Sequence, residues 1–438
     1  MLSGKWSSLL ACFWPGCASF RPVVMAEVPF KDRAITQADD NLRVTVVALS
    51  PEESEKVFGV DVAARDVQPV WMEIENKGED SYWIFPSRTD PDYYSSAEVA
   101  YMNRFRWSPS KNNRMRAHFE SMDFPVAIIP PGKTFSGFIH TKLDPGLKYV
   151  NVSLFGFKGS KRFHFVVKVP GLKADYQEVN RNALYSPEEY IDCDEELLRA
   201  EIEKLPCCTT NKSGTRKGDP LNLVVIGDVV GFMTALIGGG WDVTEGMSLS
   251  SIWRTVGSSL FGKRYRHSPV SSLYVFGRRQ DAAFQRARRT VDERNHLRVW
   301  LTRLRFNGLP VWIGQISRDI GVKFTLKTGS VVTHVIDPDV DNDRYYLMQN
   351  FVDAQGLASF GYVKGVGAAP FDEPRHNLGG DPYFTDGLRA VLHCTDLPVE
   401  FSGIQIFNWD WPPRAEPYVD SIMRSRSEHS PGKNSNQR

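Results

Sequence analysis

Residues Glu293-Arg294-Asn295-His296-Leu297-Arg298-Val299-Trp300-Leu301 alternate in character from one position to the next. Successive side chains of a strand point to opposite faces. Read as a strand, this segment puts Arg294, His296, Arg298 and Trp300 on one face. Asn295, Leu297, Val299 and Leu301 take the other, which belongs to a core. The first face sets an imidazole between two guanidinium groups beside an aromatic wall. Two neighbouring cations disfavour the imidazolium, so His296 is expected to be neutral. A neutral imidazole beside arginines has the chemistry of a general base next to an anion clamp. The same face is also explained with no ligand at all, by pairing with acids such as Asp281 or Glu293.

Two further blocks flank this strand. Upstream, Gly218-Asp219-Pro220-Leu221-Asn222-Leu223-Val224-Val225-Ile226-Gly227 reads as a buried strand. Downstream, Thr333-His334-Val335-Ile336-Asp337-Pro338-Asp339-Val340-Asp341 joins a strand to an acidic run. Alternating Asp337, Asp339, Asp341 and Asp343 imitate a calcium loop. Counted from Asp337, however, Asn342 stands where glycine is required and Met348 where a bidentate glutamate is required. Asp339 and Asp341 are better read as capping and charging the helix expected over 339–354. His334 with Asp337 or Asp341 also makes a candidate metal pair, and no metal or cofactor is identified by the sequence. The site hypothesis is a single polar cleft lined by His296, Arg298, His334 and Asp337, with Asp341 at its rim. These five are the candidate catalytic residues. On this reading His296→Ala abolishes binding or turnover and leaves stability nearly unchanged.

Gly238-Gly239-Gly240 lacks the lysine and spacing of a phosphate loop and reads as a helix C-cap. The glycine-rich loop from Asn377 to Gly387 could bring Asp386 to a site. No G-x-S-x-G nucleophile elbow occurs.

A chain of 438 residues exceeds one ordinary core. Hydrophobic content of 42% with 24% charged residues is that of a folded globular protein. The formal charge of +1 gives no argument for a nucleic-acid partner. Locally, Arg254 to Arg305 holds thirteen Lys or Arg against three acids.

Residues 1–16 read as a signal peptide: Lys5, then the uncharged run Trp6 to Gly16. Gly16-Cys17-Ala18-Ser19 resembles a bacterial lipoprotein cleavage site, which makes Cys17 the expected lipid attachment and the bacterial membrane the expected partner. Four cysteines follow. Cys193, Cys207, Cys208 and Cys394 are disulfide candidates in an oxidising compartment. A helix over 194–205 would hold Cys193 and Cys207 about 20 Å apart, beyond the reach of a disulfide at about 7 Å.

After a linker over 17–40, residues 41–172 read as an immunoglobulin-like β-sandwich, with strands punctuated by Asn76-Lys77-Gly78, Pro130-Pro131-Gly132 and Asp144-Pro145-Gly146. His118, His140 and His164 within it are read as structural or exposed. A helical connector follows over 173–215, then a mixed domain over 216–414 and a disordered tail over 415–438. Within the mixed domain, strands are expected at 221–226, 273–277, 297–301, 310–316, 331–336 and 388–393. Helices are expected at 229–237, 249–260 and 339–354. The fold class is α+β in two domains.

GDPLNLVVIG (218–227), GGWD (239–242), RRQDAAFQR (278–286), ERNHLRVWL (293–301), GLPVWIGQISRDIG (308–321), THVIDPDVDNDR (333–344) and FTDG (384–387) together resemble the LssY C-terminal domain family. The likeness covers roughly residues 216–396. It implies a cell-envelope, lipid-related setting and carries no assigned activity. It also implies a second histidine beside each motif histidine in relatives; Asn295 and Val335 stand at those positions here. Two functions follow as expectations. The first is an exported, lipid-anchored envelope protein facing the periplasm and acting as a binding or scaffold module. The second is a hydrolase or transferase acting on a phosphate-bearing envelope or lipid substrate. The expected ligand is anionic or phosphate-bearing.

Overall fold

The computed structural model describes residues 20–90, 92–125, 128–172, 174–244, 270–287, 294–324 and 332–429. Cys17 and the leader, the helix expected at 249–260 and the tail from 430 lie outside the described residues. Helices and strands are mixed throughout, so the class is α+β. No described helix is long and apolar enough to cross a membrane. The chain forms two compact units that part between Leu143 and Asp144. The boundary expected at 172 therefore falls inside the second unit, which includes the hairpin Leu147–Gly156/Gly159–Lys168.

The first unit has a four-stranded antiparallel sheet in the order Ile35–Ala38, Leu42–Ala48, Val67–Asn76, Thr134–Lys142. Leu42, Val44 and Val46 alternate and are fully buried on one face. Val47 and Trp71 pack into a second cluster with Phe58, Met115, Phe119 and Phe138. That cluster packs helices against the sheet, so the first unit is not built of strands alone. Pro51–Phe58 starts at a capping box, Ser50 with Glu53, and ends at Gly59 in the left-handed region. Pro109–Met122 fully buries only Met115 and Phe119, one helical turn apart, and is mostly polar elsewhere.

The second unit centres on a ten-stranded mixed sheet. Its main order is Asp242–Val243, Ala282–Ala287, Arg294–Phe306, Leu309–Phe324, Leu223–Ile226, Leu388–Cys394, Leu357–Lys364, Gln405–Phe407. Val332–Ile336 pairs with the far end of Leu309–Phe324, and Ile191–Cys193 runs parallel to the end of Arg294–Phe306. One face carries the helices Val229–Gly238 and Val340–Asp353, whose Phe232, Leu347 and Phe351 pack on Leu297, Val299, Leu301 and Trp312. The first of these helices ends in a Schellman motif. The Trp241 amide bonds Leu236 O, the Gly240 amide bonds Ile237 O, and Gly240 has φ +79°. The triple glycine is thus a C-cap. The opposite face carries Glu195–Lys204, capped by Asp194, over Val224, Ile226, Val311 and Val391. Beside it lies a small antiparallel sheet of Lys217–Pro220, Cys208–Thr210, Tyr274–Val275 and Arg278–Arg279.

Three expectations are corrected. The segment 173–215 is no mere connector, because it contributes strands to both sheets and a core helix. The chain from Glu416 is helical up to His429, where disorder was expected; Val419, Ile422 and Met423 recur at helical spacing and are half-buried. The four candidate cysteines are all free thiols. Cys193 and Cys394 belong to different core clusters, so no pairing of those two arises from packing.

Candidate functional site

The long hairpin Arg294–Phe306/Leu309–Phe324 sets the register of everything at this site. Asn295 stands opposite Arg318, His296 opposite Ser317, Arg298 opposite Gln315 and Trp300 opposite Ile313. On the other side Gln285 pairs with His296. The expected face is therefore present, and it is extended by Gln285, Gln315, Ser317 and Asp319.

His296 and Arg298 are both buried. His296 Nε2 donates to Asp319 Oδ2 at 2.6 Å. Burial lowers the His296 pKa, Asp319 opposes that, and Arg294 and Arg298 add to it. The neutral imidazole expected from the flanking arginines holds, with desolvation as the larger cause. Arg298 donates to Gln315 Oε1 at 2.8 Å and to the carbonyl and hydroxyl of Ser271. Arg294 donates to Gln285 Oε1 at 2.8 Å. Asp219, carried by the small sheet, is buried and accepts from Asn377. Its pKa is raised by burial and held down by Arg298. The acids expected to partner this face do not include Asp281, which instead binds Arg278 and the Leu301 amide.

Asp343 lies on the helical side of the same sheet. Its carboxylate is fully buried, 3.2 Å from Arg318 Nε and 3.4 Å from Asn295 Nδ2. Burial is the main cause that lifts its pKa to about 7; Arg318 opposes it and Asp337 adds to it. Asn295, one of the two positions where relatives are expected to carry an extra histidine, thus faces an acid.

A third cluster sits at the start of helix Val340–Asp353. Asp339 is the N-cap and accepts from the Asp341 amide. Asp341 accepts from Thr385 Oγ1 at 2.7 Å and from the Asp386 amide at 2.8 Å. The fully buried Arg344 bonds Asp386, Leu388 O and, at 3.1 Å, Asp341. A cavity of about 220 Å³ opens over this cluster, lined by Asp339, Asp341, Tyr345, Phe384, Asp386 and Arg414 among others.

Of the five expected residues, the four whose side chains are described, His296, Arg298, Asp337 and Asp341, make separate sets of contacts. His296 and Arg298 share a buried face. Asp341 lines a cavity formed with Thr385 and Asp386. Asp337 turns back on its own chain, its amide bonding Arg318 O and its carboxylate accepting from the Asp339 amide. His334 pairs in the backbone with Val322, and its side chain lies outside the described residues. Among the described residues, no three His, Cys, Asp or Glu side chains form a group suited to a metal ion. Sequence reading missed Asp319, Gln315, Asp343 and Arg344. The alternation Gln315, Ser317, Asp319 was the signal for the first two. Asp386, read as able to reach a site, lines the cavity at Asp341.

Residues 199–388 match the family LssY C-terminus. The second unit carries an LssY C-terminal domain. The match begins within helix Glu195–Lys204, earlier than the likeness expected from 216, and so includes the strands around Cys208. A comparison with curated proteins gave no match.

Proposed function

We propose that this is an exported, lipid-anchored protein of the bacterial cell envelope whose LssY C-terminal domain works as a binding or scaffold module. One observation carries the second half of this reading. The candidate residues with described side chains are divided between a buried sheet face and the head of a helix, and His296, Arg298 and Asp341 each have hydrogen-bonding partners within the protein. Catalysis needs such groups converging on one reacting atom. The first half rests on the leader and the Gly16-Cys17 junction. For the first unit we keep the sandwich reading for its sheet layer alone: the four strands are antiparallel and bury side chains on both faces, one of them under helices. The cavity at Asp341 is the place in this domain we assign to a ligand. Its carboxylates make it a poor seat for the phosphate-bearing group expected from the arginine-rich sequence.

The hydrolase or transferase reading keeps one observation in its favour. Ser317 stands opposite His296 on the face where Asp319 holds the imidazole, an alignment related to that of an activated nucleophile. The test is to incubate the full chain with aryl phosphate mono- and diesters and with phosphatidic acid vesicles. The binding reading predicts no turnover above buffer. Turnover that disappears in both His296→Ala and Ser317→Ala variants would establish the enzyme instead.

A further inference from the structure

The first unit holds a pocket that the reading above does not use. It has a volume of about 310 Å³ and is lined by His140, Asp123, Ser96, Tyr93, Tyr94 and Phe138 among others. Small-molecule sites begin at about this size. Backbone bonds fix its walls to the strand Thr134–Lys142 at His140 and at Phe138. The Tyr94 amide bonds His140 O at 2.8 Å, and the Phe124 amide bonds Phe138 O at 2.9 Å. Gly137 allows the second approach, since a Cβ there would lie 2.4 Å from Asp123 O.

The chemistry of the lining is lopsided. His140 is 1% exposed, and neither ring nitrogen has a hydrogen-bond partner among the described residues. A buried polar group without a partner costs about 1–3 kcal/mol, so it calls for an explanation. Its packing is apolar, with Phe58 and Phe119 rings at 5.0 and 5.5 Å. Burial holds its pKa near 3, so the ring is a neutral acceptor and donor at ordinary pH. Its Nε2 lies 3.8 Å from Asp123 Oδ1, too far for a direct bond. Asp123 takes one hydrogen bond from Ser96 Oγ. Among the described lining residues there is no Lys or Arg to balance that carboxylate. Tyr93 and Tyr94 also line the pocket, Tyr93 being 43% exposed.

We infer that this pocket binds a compact organic ammonium ion with an apolar or aromatic body. The ammonium group donates to both the Asp123 carboxylate and the His140 ring, filling the gap between two groups too far apart to bond each other. It gains cation–π attraction from Tyr93 and Tyr94, while the body packs on Phe138 and its apolar neighbours. A neutral alcohol could satisfy His140 but would leave the carboxylate unbalanced, and an anion would be repelled.

Isothermal titration calorimetry of the full chain tests this with three probes of similar shape: 2-phenylethylammonium, 2-phenylethanol and phenylacetate. The ammonium is expected to bind about tenfold or more tightly than either of the others. Asp123→Asn should lose that preference. His140→Phe keeps the aromatic packing and removes the unpartnered nitrogens, so it should melt at or above the parent temperature yet lose ammonium binding. The inference is overturned if the alcohol or the carboxylate binds as tightly as the ammonium, or if none of the three binds. It is equally overturned if Asp123→Asn retains the preference. A marked fall in melting temperature for His140→Phe would show that the ring serves the fold and would also overturn it.

Discussion

Asp343 illustrates how one residue can hide from a sequence reading. It sits in an alternating acidic run where helix capping explains its neighbours, and Asp339 does cap the helix. Asp343 turns inward instead, to Arg318 and Asn295 on two other strands. Those partners are 25 and 48 residues away by chain number, and no local pattern announces them. The buried carboxyl has a measurable consequence. Its pKa is about 7 in the folded chain, against about 3.9 for a free aspartate. The folded state keeps the proton that the unfolded chain releases first. Its contribution to stability is therefore full below about pH 4 and is lost as pH rises towards about 7, by an amount on the order of a few kcal/mol. Melting temperatures at pH 5 and pH 7.5 should fall further for the parent than for Asp343→Asn, which has no proton to lose. Equal falls in the two proteins would contradict the assignment.

At the scale of elements, the alternating segment around His296 gave the right faces and the wrong lengths. The strand expected at 310–316 runs on to Phe324. Ser317-Arg318-Asp319 is polar on both sides, which reads as the end of a strand. It continues because each side chain meets a buried partner from elsewhere: Asp319 meets His296 on one face and Arg318 meets Asp343 on the other. The helix Pro109–Met122 was missed for the opposite reason, since two buried side chains leave too faint an apolar stripe. Arg389 shows what joins elements in this domain. It is fully buried in a central strand with five carbonyl oxygens as acceptors, those of Leu221, Ile202, Leu205, Pro206 and Gly365. Burial is the main cause that lowers its pKa to about 10. Two of its acceptors belong to the end of helix Glu195–Lys204 and the residue after it, so the guanidinium fastens that helix to the sheet. Arg389→Met should orphan these carbonyls at about 1–3 kcal/mol for each that water does not reach. Arg389→Lys, with three donors and no planar fork, should recover only part of the loss. Urea denaturation measures both, and a methionine variant as stable as the parent would sink this account.

For the whole molecule, the LssY assignment and the α+β class could be read from the sequence because they rest on dense blocks such as ERNHLRVWL and THVIDPDVDNDR. The gathering of the site could not, because a sheet has two sides and the blocks lie on both. The setting of the molecule has its own test. Cys17→Ala should move the protein from the membrane fraction to the soluble fraction without changing its melting temperature, and unchanged membrane association would remove the anchor from the account. The central claim is that the face bearing His296 is part of the framework of the LssY domain. The most direct measurement is the thermal stability of His296→Ala beside that of Leu297→Ala, its neighbour on the core face. Removing the imidazole takes away the hydrogen bond to the buried Asp319, at about 1–3 kcal/mol, and removing the leucine leaves a cavity, at about 2–5 kcal/mol. Comparable losses in the two variants are the predicted result. A His296→Ala protein that melts with the parent while losing a binding or catalytic activity would contradict the claim.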